Sequence, residues 1–132
     1  MLYGIGLPWS AYLAKAIRVM EHWGFEYKSN VAWVKDKIGL GWYVRNQHEL
    51  LLIGRRGKLP IPDPNVRPSS VVWLPREKAH SKKPESFHEM IERMYPGYPK
   101  IELFARAARP GWDAWGNQLA SEMTLGSPEV PK

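Results

Sequence analysis

Residues 10–34, SAYLAKAIRVMEHWGFEYKSNVAWV, read as a helix, a stop and a strand. Ser10 has the side chain of an N-cap, and Leu13, Ala16, Ile17 and Met20 recur at helical spacing, which predicts a helix over about Ala11 to Trp23. Gly24 follows directly as a C-terminal stop, because a left-handed backbone turn costs glycine nothing. Tyr27 to Val34 then mixes aromatic and β-branched residues in the manner of a strand. Upstream, Leu2 to Leu7 is short, apolar and glycine-containing, a candidate buried strand.

Downstream, Lys35 to Asn46 (KDKIGLGWYVRN) carries glycines and polar ends and reads as a loop. His48 to Gly54 holds the run Leu50-Leu51-Leu52-Ile53, expected to be a strand buried on both faces. Arg55 to Pro68 is a loop with four prolines, long enough to point to function. Ser70 to Leu74 predicts a short strand and Glu85 to Met94 a helix with Phe87, Met90, Ile91 and Met94 on its apolar side. Pro96 stops that helix. Lys100 to Phe104 predicts another strand, and the stretch through Trp112, Trp115 and Asn117 reads as irregular. Strands separated by helices and long connectors argue for an α/β fold with a mostly parallel sheet. Ligands of such sheets sit beyond the carboxyl ends of the strands. That rule makes the loops after Val34, Gly54, Leu74 and Phe104 the candidate rim.

The chain has 132 residues, 44% hydrophobic and 24% charged, which is enough to bury one core and predicts a single domain over 1–125 with a flexible tail at 126–132. Cysteine is absent, which excludes disulfides, thiolate zinc sites and a cysteine nucleophile. The formal charge of +6 suits a polyanionic partner, nucleic acid above all. No apolar run approaches the roughly 18 residues of a membrane span. The first sixteen residues imitate a secretion signal but lack its basic start, so the expected location is cytoplasmic.

Most elementary catalytic patterns are missing. His22, His48, His80 and His88 have no metal-ligand spacing, so no metal is expected. No phosphate-binding glycine loop or dinucleotide fingerprint is present. Arg55, Arg56 and Lys58 form a basic turn, either a solvated loop or a phosphate contact for nucleic acid. Trp33, Trp42, Trp73, Trp112 and Trp115 are readable as core or as stacking platforms, core being the simpler reading for most of them. The pair His48-Glu49 opens a strand, where a strand-end hydrogen bond is the plain interpretation.

Four segments in order carry more: WVKDKIGLGWYVRNQHELLLIGRRG (33–57), RPSSVVW (67–73), HSKKPESFHEMIERMYPG (80–97) and KIELFARAARPGWDAWGNQL (100–119). Together with AIRVMEHWGF (16–25), their order and spacing resemble the adenine-N6 methyltransferase family that includes the catalytic subunit of the eukaryotic messenger-RNA adenosine methyltransferase, and most of all its bacterial and phage DNA-acting branch. The resemblance implies a partial Rossmann-like methyltransferase fold, S-adenosylmethionine as cofactor, and methyl transfer to the exocyclic amine of adenine in nucleic acid, DNA on this branch. By the same resemblance Lys83, Arg106, Asn117 and Gln118 match cofactor-binding positions. Asn46 and Glu49 match the segment lining the reaction pocket, with Glu102 and Phe104 on a supporting strand. The types suit the ligand, since an Arg or Lys with two amides complements a carboxylate and ribose hydroxyls. Plainer roles exist for each: Arg106 paired with Glu102 or Asp113, Asn117 capping a turn, Lys83 solvated.

The family's reaction centre is an Asp-Pro-Pro-Trp tetrapeptide, and this sequence has none. Gly6-Leu7-Pro8-Trp9 lacks the acid, and Pro62-Asp63-Pro64-Asn65 lacks the aromatic. The resemblance therefore implies a chain that starts after the motif, without the N-terminal part of the family domain and with no catalytic residue of its own. A sheet cannot keep an open slot in its middle, so direct pairing of the flanking strands or a strand from a second chain or copy is expected to close it. Three functions follow: a truncated methyltransferase-like protein, a non-catalytic module that binds nucleic acid or cofactor and pairs with another chain, or a structural or interaction protein that reuses the fold.

Overall fold

A computed structural model of the chain describes residues 2–7 (backbone), 12–75, 86–103, 105 and 107–116. The chain divides into two compact units after Met94.

The first unit contains β1 (Leu2–Leu7), α1 (Leu13–His22), β2 (Glu26–Val34), β3 (His48–Arg55), β4 (Val71–Trp73) and α2 (Ser86–Met94), with one 3-10 turn at Pro64–Val66. The helical spacing in 13–20 becomes a buried stripe: Ala16 and Met20 are enclosed, with Leu13 and Ile17 packed beside them. Leu52 of β3 and Phe25 complete this core, and Met20 and Leu52 are wholly inaccessible. Gly54 makes the approach possible, because a Cβ there would stand 2.8 Å from the Met20 sulfur and 3.2 Å from the Phe25 Cβ. The helix ends as the sequence predicts. Gly24 has φ +83°, its N–H donates to the Glu21 carbonyl, and the Phe25 N–H donates to the Met20 carbonyl, the paired bonds of a Schellman cap. The start differs, because the N-cap position is Tyr12, with no side-chain cap bond; Ser10 lies outside the described residues.

The sheet order is β1-β3-β2-β4. Here the expected mostly parallel sheet needs correction. β3 pairs antiparallel with both β1 and β2, and only β2 with β4 is parallel. The sheet is mixed. Strands β1, β2 and β4 do run in one direction, but the reversed β3 is inserted between β1 and β2, splitting the strand–helix–strand unit. The physical reason lies in the connection. Residues 35–47 form a loop without a helix, and such a return lays the next strand antiparallel beside its predecessor. The rim changes with it. The carboxyl ends of β2 and β4 coincide, Val34 opposite Trp73, whereas β3 carries Gly54 and Arg55 to the opposite end of the sheet.

The second unit contains β5 (Lys100–Leu103) and β6 (Trp112–Trp115), paired in parallel from Lys100↔Trp112 to Leu103↔Trp115. Residues expected to be irregular thus include a strand. Four residues, Trp-Asp-Ala-Trp, are too short for periodicity to reveal. Their partners twelve positions upstream decide their conformation. Lys100 Nζ ties the entry to β5 by donating to the carbonyls of Tyr95 (2.7 Å) and Tyr98 (2.8 Å).

Candidate functional site

The carboxyl end of β2 is built around two buried side chains, Trp33 and Glu49. Trp33 Nε1 donates to the Leu74 carbonyl at 2.7 Å, which fastens the exit of β4 to β2. Its ring meets Phe87 of α2 edge-on, centroids 5.6 Å apart. Lys35 Nζ stands 2.6 Å from Glu49 Oε2 and 5.0 Å from the Trp33 ring centroid. The first residue after β2 is thereby locked to the second residue of β3. Backbone and side chain reinforce the lock: Lys35 N–H donates to the Gln47 carbonyl (2.8 Å), and Gln47 Nε2 donates to the Lys35 carbonyl (3.1 Å).

Above this root the loop closes on itself. Gly39 N–H donates to the Asn46 carbonyl at 2.7 Å, and Asn46 returns both its N–H (3.2 Å) and its Nδ2 (3.0 Å) to the Leu40 carbonyl. The glycines here are required by space. A Cβ on Gly39 would lie 2.7 Å from the Asn46 carbonyl oxygen, and one on Gly41 would collide with the Val44 carbonyl oxygen. The loop tip holds Trp42 and Tyr43 in full solvent, with Ile38, Leu40 and Val44 also exposed.

The sequence-predicted site residues fall into three groups. Asn46 and Glu49 come together at the root of this loop, Asn46 shaping the turn and Glu49 buried against Lys35. Arg55 ends β3 and Arg56 and Lys58 follow it, about 20 Å from Glu49 at 3.4 Å per residue, so the structure does not bring them to Asn46 and Glu49. Arg56 Nη1 donates to the Trp23 carbonyl (3.2 Å) and its guanidinium lies over Phe25, sealing the end of α1. Arg55 faces Glu26, whose carboxyl is held below the ordinary value by the hydrogen bond and charge of Lys28, with Arg55 adding to it. Lys58 is exposed. The third group, Lys83, Phe104, Arg106, Asn117 and Gln118, lies outside the described residues, while Glu102 stands on β5 opposite Ala114.

One observation bears on whether a nucleoside cofactor fits the second unit. Ala105 N–H donates to the Trp115 carbonyl (2.9 Å), extending the β5–β6 pairing. Gly116 presses on the same residue: a Cβ there would collide with the Ala105 carbonyl oxygen and lie 2.8 Å from its nitrogen. The backbone thus brings 105 and 116 into contact at the carboxyl ends of two parallel strands. The next residues in the chain are Arg106 and Asn117-Gln118, a cation and two amides. Such a donor set fits a ligand bearing hydroxyls and a carboxylate. Sequence reasoning missed Lys35, the exposure of Trp42 and Tyr43, and the role of Gly116. Only the glycine, placed directly before Asn117, gave a signal. Among the described residues no group of three His, Asp or Glu side chains could hold a metal, and no helix is long and apolar enough to cross a membrane.

Comparison with known proteins places this α/β chain among the methyltransferases. It belongs to the MT-A70 family, whose profile matches residues 10–118. Members of that family are S-adenosylmethionine-dependent methyltransferases. The chain is 39% identical over 109 residues to the type II methyltransferase M.MunI of Mycoplasma sp, covering 81% of this chain and 46% of that protein. It is 33% identical over 107 residues to the human N(6)-adenosine-methyltransferase catalytic subunit METTL3, covering 74% and 18%. It is 32% identical over 110 residues to the N(6)-adenosine-methyltransferase MT-A70-like protein of Arabidopsis thaliana, covering 76% and 16%. The chain therefore spans about half the length of the bacterial relative and less than a fifth of the eukaryotic ones.

Proposed function

We propose that this chain forms the cofactor-holding and pocket-lining part of an S-adenosylmethionine-dependent adenine-N6 methyltransferase acting on nucleic acid, DNA in the first instance, on a Rossmann-like scaffold formed as a single domain. The observation that carries this reading is the extent of the family match, which runs through Lys83, Arg106, Asn117 and Gln118. The higher identity to a type II bacterial enzyme than to the adenosine enzymes favours DNA.

In this reading Lys83 and Arg106 supply charge to the cofactor, and Asn117 and Gln118 hydrogen-bond its ribose. When bound, the cofactor contributes an electrophilic methyl group on a sulfonium. The task of this chain's residues is positioning, which matters most when a methyl carbon must meet a weakly nucleophilic amine in line. Glu49 and Asn46 line the amine's pocket. Glu49 is held by Lys35, and Asn46 by Leu40, so neither drifts as the base enters. The acid of an Asp-Pro-Pro-Trp motif is not among the 132 residues, and in this proposal it is supplied from outside them. A second reading is a binding module for nucleic acid or cofactor that pairs with an active chain.

Transfer of labelled methyl from S-adenosylmethionine to an adenine-containing duplex separates the two, measured with the chain alone and with a partner carrying the tetrapeptide. Turnover only in the mixture supports the first reading. Calorimetry tests the site itself: Lys83→Ala and Arg106→Ala each weaken cofactor binding more than about tenfold, about 1.4 kcal/mol. No heat with the wild-type chain at about millimolar cofactor overturns the proposal.

A further inference from the structure

Helix α1 buries Ala16 and Met20 and turns Lys15, Arg18 and His22 into water. At 3.6 residues per turn these three fall within about 60° of one another, opposite the buried stripe. Val19 and Trp23, both exposed, flank them, and the five side chains line one shallow, open hollow. Helix stability does not explain the placement. A cation suits the last turn, which accounts for His22, but Lys15 stands in the first turn, where the macrodipole favours an acid and α1 has none. Nor does ion pairing explain it. Among the described residues neither Lys15 nor Arg18 joins an ion pair, and Lys15 Nζ rests 5.6 Å from the Tyr12 ring centroid.

The basic turn after β3 adjoins the same helix. Arg56 Nη1 donates to the Trp23 carbonyl at the end of α1, and Lys58 follows, exposed, two residues on. Glu26, beside Arg55, is already held by Lys28 at 2.8 Å, and Glu21 is the one acid within α1. The turn that β3 carries away from Asn46 and Glu49 thus continues the cationic face of the helix.

We infer that α1 and the turn at 55–58 form one cationic track that grips the phosphodiester backbone of a nucleic acid outside the nucleotide being modified. The inference rests on the nucleic-acid reading above and adds a second point of attachment. Lys15, Arg18 and His22 span about 10 Å along the helix, the axial rise of about three nucleotides of one DNA strand. Lysine and arginine bring charge and donors, and histidine an N–H in either protonation state. The hollow is open and offers no enclosure for a base, so the contact positions the strand without reading its sequence. Arg56 and Lys58, about 20 Å from Glu49, meet nucleotides about six steps from the pocket.

The test uses the full chain and a fluorescein-labelled duplex read by anisotropy across a salt series. Lys15→Gln, Arg18→Gln and Lys58→Gln each flatten the salt slope by about 0.9, which at about 0.1 M salt is an eightfold weaker affinity, alike on duplexes of different sequence. Lys15→Glu weakens binding further yet raises the thermal midpoint, because an acid suits the first turn. Arg93→Gln is the control: it removes an equal charge from α2, which packs on Trp33 on the face of the sheet opposite Leu52, and leaves the slope unchanged. An unchanged slope in the Lys15→Gln/Arg18→Gln/Lys58→Gln variant overturns the inference. So does an equal loss in Arg93→Gln, which would make the effect one of total charge, and so does displacement of the duplex by polyglutamate at equal charge. Absence of any anisotropy change at about 100 μM chain overturns it as well. Slope losses in a chain that gives no heat with S-adenosylmethionine support the track and overturn the cofactor reading alone.

Discussion

Replacing Lys35 by methionine would remove one half of an ion pair whose other half cannot reach water. The Lys35 and Glu49 side chains are 17% and 5% exposed, and their charged atoms are 2.6 Å apart. At an effective dielectric of about 20, that separation corresponds to a gross attraction of about 6 kcal/mol, most of which offsets the desolvation of the two groups. Deleting the cation removes the opposite charge from a carboxylate that stays buried, so Lys35→Met costs about 3–5 kcal/mol, whereas Lys35→Met/Glu49→Leu recovers much of it. Urea denaturation followed by tryptophan fluorescence measures this directly, and Trp33, 5.0 Å from the ammonium, reports on the same place. A single-variant loss below about 1 kcal/mol, the range of exposed pairs, would refute the reasoning. A double variant as unstable as the single would do the same.

Three further outcomes are expected. Leu52→Ala, at a wholly buried position against Met20, destabilises by about 2–5 kcal/mol in the same denaturation assay. Gly24→Ala forces an L-residue into φ +83° with the Arg56 Cδ 3.3 Å from its Cβ, a loss of about 1–2 kcal/mol, seen as a lower thermal midpoint. Gly116→Ala drives a methyl into the Ala105 backbone; calorimetry should show S-adenosylmethionine binding weakened by about tenfold or more, while circular dichroism retains the strands and helices of the first unit.

Much of this molecule is legible along the chain because its signals are local. The apolar spacing of Leu13, Ala16, Ile17 and Met20, the glycine after Trp23 and the Leu50–Ile53 run each specify a conformation through neighbours a few positions away, and helix, stop and strand formed where the residues indicate. The family motifs are of the same kind, fixed residue types in fixed order. What escaped is whatever depends on a distant partner. The direction of β3 relative to β1 and β2 was not legible, since a strand reads alike in both orientations. That direction carries Arg55, Arg56 and Lys58 away from Asn46 and Glu49. The strand Trp112–Trp115 exists through its pairing with β5, and Lys35 acquires its role from Glu49, fourteen positions on. Sequence alone determined the helices and every strand but Trp112–Trp115, the cationic balance and the family. Only tertiary structure decided which ends of the strands coincide, which rings stay in water and which charge is buried, because register and burial are properties of pairs of segments and not of either one.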